Sequence, residues 1–240
     1  MDSAPPRTLY GRRRGKPLRV GRREVLERRL PELQVFPADY QNDALDPRSL
    51  FQPKIRGVWL EVGFGAGEHL AAMAQAHPDV GFIGCEPFIN GVARLLGAID
   101  QQGLDNIRIV MDDAGLLLDC LAAGSIDRAF LLFPDPWPKR RHNKRRFVGP
   151  KNIAAMARIL ADGADWRVAT DHMDYCRWIL AHLGVARQFQ WLARRPGDWR
   201  LRPDDWPATR YEEKGIEAGR PPAFLSFRRR NRNQPVNCLL

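Results

Sequence analysis

Residues 134–147 read Pro134-Asp135-Pro136-Trp137-Pro138-Lys139-Arg140-Arg141-His142-Asn143-Lys144-Arg145-Arg146-Phe147. They set one carboxylate in a proline-bracketed turn, one indole beside it, and then six Lys or Arg within eight residues. A carboxylate so close to that much positive charge is ionised. The basic run calls for an anionic partner larger than a metabolite. A charge run is more often an idle solvated face, but here each proline fixes φ and restricts its predecessor. Ser125 to Phe133 reads as a buried strand. The turn therefore sits at a strand's carboxyl end, where open α/β sheets keep their ligands.

A second constellation lies upstream. Glu61-Val62-Gly63-Phe64-Gly65-Ala66-Gly67 follows a strand and precedes a helix. Glycines at these spacings let the chain turn tightly and approach a ligand closely. The pattern is G-x-G-x-G, neither the dinucleotide fingerprint nor a phosphate loop, which needs a Lys after its last Gly. Glu86 lies just past the second strand, about 20 residues beyond the turn, where a carboxylate bonds ribose hydroxyls. Asp113, or its neighbour Asp112, lies past the third strand, within reach of an adenine amine. Three carboxylates with Glu61 repel a pyrophosphate. They suit a ligand carrying an ammonium and a sulfonium, namely S-adenosylmethionine.

The elements that must position these groups alternate. Strands are expected over 58–62, 80–85, 107–110, 126–133 and 165–169. Helices are expected over 69–76, 91–102, 114–121, 151–160 and 173–183. Alternation of this kind implies a parallel sheet covered on both faces. Two further strands, 188–193 and 223–228, have no helix evident between them and suggest an antiparallel pair closing one edge. Residues 196–222 between them hold five prolines; so long a loop is more often functional than idle.

Composition bounds the rest. The net charge is +10 and the pI near 10, so the expected partner is an acidic polymer or surface. Residues 1–30 hold ten Lys or Arg against three acids. With little to bury they read as a disordered basic tail, extending to residue 35 and removable without loss of fold. The expected domain covers 36–230, followed by a short tail over 231–240. Cys85, Cys120, Cys176 and Cys238 show no disulfide or zinc spacing. No apolar stretch approaches a membrane span. A cytoplasmic setting, no membrane, no metal, and a monomer or homodimer are expected.

Taken together, the residues resemble the bacterial single-chain tRNA (guanine-N7)-methyltransferase family of class I methyltransferases. The matching segments are the glycine turn, Gly84-Cys85-Glu86-Pro87, Asp113-Ala114, Phe133 to Lys139, Arg141 to Arg146, Ala169-Thr170-Asp171 and Thr209-Arg210-Tyr211-Glu212. The glycine turn is shared by many methyltransferases; the run from Pro134 to Arg146 is family-specific. The resemblance implies a doubly wound, Rossmann-like sheet, S-adenosylmethionine as cofactor, and methyl transfer to N7 of the variable-loop guanosine at position 46 of tRNA. It assigns Glu61, Gly63, Gly65, Gly67, Glu86, Asp113 and Asp135 to the cofactor, with Asp135 also the catalytic carboxylate. It assigns Lys139, Asp171, Thr209, Arg210, Tyr211 and Glu212 to the substrate, joined by Arg141, His142, Asn143, Lys144, Arg145 and Arg146 from the basic run. Trp137 could stack on the base or pack in the core. His142, among cations, is a poor general base, and His69 and His172 read as polar residues at helix starts. Two rivals are an exocyclic-amine methyltransferase, which would carry a second proline after Asp135-Pro136, and a non-enzymatic RNA-binding protein.

Overall fold

Seven strands form one sheet in the order β3-β2-β1-β4-β5-β7-β6. They are β1 Gly57–Val62, β2 Val80–Cys85, β3 Ile107–Val110, β4 Ile126–Leu132, β5 Leu160–Thr170, β6 Phe189–Trp191 and β7 Ala223–Arg229. The first five pair in parallel, and β7 runs antiparallel between β5 and β6. The computed structural model describes residues 11–40, 44–51 and 55–233. Cys238, residues 1–10 and most of the expected C-terminal tail lie outside the described residues.

Alternation along each strand sorts side chains to two faces. Val58, Leu60 and Val62 of β1 join one apolar cluster, whereas Trp59 joins the other. The first cluster is closed by α4 (Ala114–Cys120), α5 (Pro150–Ile159) and α6 (Met173–Gly184); the second by α1 (Val20–Leu33), α2 (Glu68–Ala76) and α3 (Ile89–Gln102). Helices on both faces make the sheet doubly wound. Because β1 lies between β2 and β4, strand order reverses there, and a crevice opens above the carboxyl ends of β1 and β4.

Three elements differ from the sequence reading. Residues 20–33, placed in a disordered tail, form α1, which buries Leu26, Leu30 and Leu33 against α3 and β3. Leucines at i, i+4 and i+7 give even this Arg-rich helix a narrow apolar stripe. Between β6 and β7, where no helix was expected, lie α7 (Gly197–Arg200) and α8 (Arg210–Glu217). Thr209 caps α8 by accepting from Glu212 N at 3.2 Å. The basic run itself forms a 3-10 turn over Arg140–Arg145.

The long β6–β7 connection also fills a gap on the second face. Trp206 is fully buried against Phe130, Phe224 and His69. Arg167 pins this segment through a two-pronged bond to Asp205 at 2.9 and 2.8 Å. Cys85, Cys120 and Cys176 are buried free thiols. No helix among the described residues is long and apolar enough to cross a membrane.

Candidate functional site

The glycine turn leaves β1 with Gly63, Gly65 and Gly67 at φ of 73°, 56° and 77°, a region closed to most side chains. The start of α3 packs so tightly on this turn that a Cβ on Gly91 would lie 2.1 Å from the Gly65 carbonyl oxygen. Glu86, at the end of β2, ties the two together. Its carboxylate accepts from Gly65 N at 2.8 Å and Phe88 N at 3.0 Å. Burial pushes the Glu86 carboxyl above its ordinary range, and the nearby charges of Asp135 and Glu61 push it further. The acids from three strand ends therefore lie within electrostatic reach of one another. Glu61 is itself buried and meets His69 Nδ1 at 2.7 Å.

A cavity of about 330 Å³ occupies the crevice. Its walls include Val62, Gly63, Cys85, Pro87, Asp112 to Gly115, Pro134, Asp135 and Trp137. Asp113 caps α4 through Gly115 N at 2.7 Å, and Asp112 accepts from Asp113 N at 2.8 Å. Glycines that admit close backbone approach, with convergent acids whose charges repel one another, fit a cationic ligand. The opposite wall is basic, with Lys144, Arg145 and Lys151 beside Asn152. Lys151 and Asn152 open α5 and were not singled out in the sequence, where only proximity to the basic run pointed to them. A larger cavity, about 500 Å³, lies at the other end of the sheet among Phe51, Asp79 and Arg108, away from these groups.

Asp135 is exposed and flanked by two strained residues, Phe133 at φ 50° and Trp137 at φ 42°. Bulky residues at positive φ cost roughly 1–3 kcal/mol each and persist only where surroundings enforce them. The enforcers are visible. Phe133 N donates to Ala169 O at 2.8 Å. The Trp137 ring lies edge-on to His142, and the Arg145 guanidinium sits 5.0 Å from its centre. The Asn143 amide, oriented to suit its neighbours, donates to Trp137 O at 3.0 Å and Lys139 O at 3.2 Å. Trp137 thus buttresses the turn while lining the cavity. Desolvation and the cations Arg145, Arg141, Lys139 and Lys144 hold His142 below its ordinary pKa.

Lys139, Arg140, Arg141 and Lys144 are exposed, and Lys144 lines the cavity. Arg146 is buried instead, though it is among the residues that line the cavity. Its side chain is 1% exposed, and Nε donates to Pro136 O at 2.8 Å. Its guanidinium bonds Asp174 and faces the rings of Tyr175 and Trp178. Glu212 is also buried, paired with Arg202 at 3.2 Å, and its Oε2 has no hydrogen-bond partner among the described residues. Of the same segment, Tyr211 is half exposed with its ring 5.0 Å from that of Phe133, and Arg210 reaches Glu68 at the start of α2. Asp171 follows β5 and accepts from Arg220 at 3.0 Å. Burial raises the Tyr211 hydroxyl pKa, and Asp171 and Asp135 add to it.

The N-terminal segment reaches the same crevice, which sequence reasoning missed. Gly11 lines the cavity and Arg13 bonds Asp112 at 3.3 Å. Asn90 at the start of α3 accepts from Gly15 N at 3.0 Å and donates to Lys16 O at 2.8 Å. Nothing in the local pattern of an Arg-rich stretch announces such a docking.

Comparison with known proteins agrees with this geometry. A family profile described as "Putative methyltransferase" matches residues 56–225. The chain is 51% identical over 225 residues to a tRNA (guanine-N(7)-)-methyltransferase of Rhodospirillum rubrum, covering 93% of this chain and 88% of that one. It is 46% identical to the protein of the same name from Paracoccus denitrificans, covering 96% and 99%. Among solved structures, the 16S rRNA methyltransferase KamB aligns with a TM-score of 0.56 at 15% identity, covering 79% of this chain and 96% of that one. An rRNA methylase from Streptococcus thermophilus aligns at 0.50 and 13%, covering 73% and 87%. At such identities these two speak for the fold alone. With a doubly wound sheet, an acid-lined glycine turn at its switch point, and relatives of about half-identical sequence along nearly the whole length, the chain belongs to the tRNA (guanine-N(7)-)-methyltransferase family.

Proposed function

We propose that this chain transfers the methyl group of S-adenosylmethionine to N7 of a guanosine in tRNA, the variable-loop guanosine at position 46. The observation that carries this reading is one cavity lined by Gly63, Asp113 and Asp135 together with Lys144 and Arg145 of the basic turn, with Glu86 and Glu61 buried within electrostatic reach of Asp135. Glu86, Glu61, the glycine turn and Asp113 would hold the cofactor, whose sulfonium supplies the methyl group. N7 of guanine has an in-plane lone pair and no proton, so no general base is needed. The protein's task is to hold N7 in line and exclude water, an orientation effect. Methylation makes the purine cationic and its N1 and N2 protons more acidic. Asp135, held in its strained turn, accepts hydrogen bonds from that edge that strengthen as charge develops. The exposed Lys139, Arg141 and Lys144 take phosphates of the tRNA. Aniline after borohydride cleaves RNA at 7-methylguanosine. The reading expects one new cut in the variable loop of tRNA incubated with enzyme and cofactor; tRNA left uncut refutes it.

A further inference from the structure

We propose that Arg220 is a positioning residue for the transfer: it fixes the Asp171 carboxylate beneath α8, so that one oxygen stays open to the donor edge of the purine. The inference rests on the reading of Asp171 as a substrate contact. Arg220 itself belongs to none of the segments that carry the family resemblance.

The geometry is specific. Asp171 leaves the carboxyl end of β5 with its side chain only 12% exposed. Arg220 Nε donates to Oδ2 at 3.0 Å, and among the described residues no hydrogen bond reaches Oδ1. Gly215 presses on the same side: a Cβ there would lie 3.4 Å from Oδ2. Arg220 N also donates to Gly215 O at 2.8 Å, closing the end of α8. Tyr211 is one helical turn before Gly215, so both occupy the face of α8 turned to Asp171 and Phe133. One carboxylate oxygen is thus held against α8 and the guanidinium. The other takes no hydrogen bond from the described residues, and the half-exposed ring of Tyr211 on the same helix can lie on a base. The guanine N2 amine carries two hydrogens, so such an oxygen can take one of them beside the donors that Asp135 accepts; adenine has no amine at that position. A carboxylate free to rotate would meet that edge only part of the time.

The test uses full-length protein and a tRNA transcript, with the variants Arg220→Ala, Arg220→Lys, Asp171→Asn and the double Asp171→Asn/Arg220→Ala. Arg220 is itself half exposed, so its truncation should not unfold the chain, which a thermal melt verifies. Arg220→Ala should lower kcat/KM for tRNA roughly ten-fold, the effect of weakening one charge-assisted hydrogen bond. Cofactor affinity by calorimetry and the salt slope of tRNA binding should both hold. Arg220→Lys should restore part of the loss. In the Asp171→Asn background, Arg220→Ala should add less than about two-fold, because the two act as a unit. Additive losses, or a flattened salt slope, would show that Arg220 meets phosphate instead and would overturn the inference. So would normal kinetics for Arg220→Ala beside an impaired Asp171→Asn. Normal kinetics for Asp171→Asn would instead refute the reading of Asp171, and the inference with it.

Discussion

Replacing Arg146 by Ala should loosen the catalytic turn rather than detach RNA. The guanidinium is sealed between Pro136 O, Asp174, and the rings of Tyr175 and Trp178 at 5.1 and 5.0 Å. Truncation deprives the Pro136 carbonyl of its donor and both rings of their cation. A hydrogen bond from a charged donor is worth roughly 1.5–3 kcal/mol, and a desolvated cation–π contact about 2 kcal/mol. These share one guanidinium and do not add in full, and the exposed Asp174 contributes little. A loss of roughly 3–5 kcal/mol is expected, as for breaking other buried charged contacts. In a chain of this size each kcal/mol shifts the melting midpoint by about 2–4 °C, so Tm should fall by roughly 6–20 °C. Arg146→Met retains most of the packing and separates the polar share: it should melt between wild type and Ala. The assay pairs thermal melts with tRNA binding over a salt series. Exposed Lys144 is the comparator, since Lys144→Ala should melt like wild type yet reduce the salt slope by about 0.9 for its phosphate. An Arg146→Ala protein that melts like wild type and flattens the slope would show the side chain reaching RNA, and the packing argument would be wrong.

Asp135→Ala should lower kcat by roughly 10²-fold, the scale for one group facing developing charge, with a smaller change in cofactor affinity; equal losses in both would place Asp135 on the cofactor alone. Glu86→Ala should weaken cofactor binding by roughly 10–100-fold in calorimetry, because the Gly65 and Phe88 amides lose their shared acceptor; unchanged heat would remove Glu86 from the site. The Glu86 carboxyl is raised in the fold, so its favourable effect on stability is complete below about pH 4.5, the ordinary glutamate value, and is lost as pH rises through the raised value. Unfolding measured without cofactor should therefore shift in favour of Glu86→Gln relative to wild type between pH 4.5 and 7, and a pH-independent difference would contradict the assigned burial. Deleting residues 1–30, which the sequence suggested was harmless, removes Leu26 and Leu30 from the core; at about 1.5–3 kcal/mol per buried leucine, the truncated chain should melt well below wild type, and an unchanged Tm would mean that α1 is not docked.

The sheet, and where it puts the candidate site residues, were legible because both depend on local order. Strand and helix periods between Val58 and Leu183 are set by neighbours a few residues apart, and they bracket Gly63 to Gly67, Glu86, Asp113 and Asp135 at successive strand ends. Once those strands are parallel, their ends must share one edge of the sheet, so the acids converge whatever the details of packing. Some further features were written in the sequence but quiet. Leu26, Leu30 and Leu33 keep helical spacing inside an Arg-rich stretch, and Thr209 with Glu212 three residues on spells a helix start. What only the tertiary structure decided is direction. Arg146 and Lys144 belong to one basic run, yet one is packed on Tyr175 and Trp178 while the other faces solvent. A residue's charge is a property of its type, but which way it points depends on side chains that arrive from far along the chain. For the same reason Trp206 filling the second face, Asn90 holding Gly15 and Lys16, and Arg220 holding Asp171 leave no local trace. Each joins segments tens of residues apart, and only the closed sheet brings them within bonding distance.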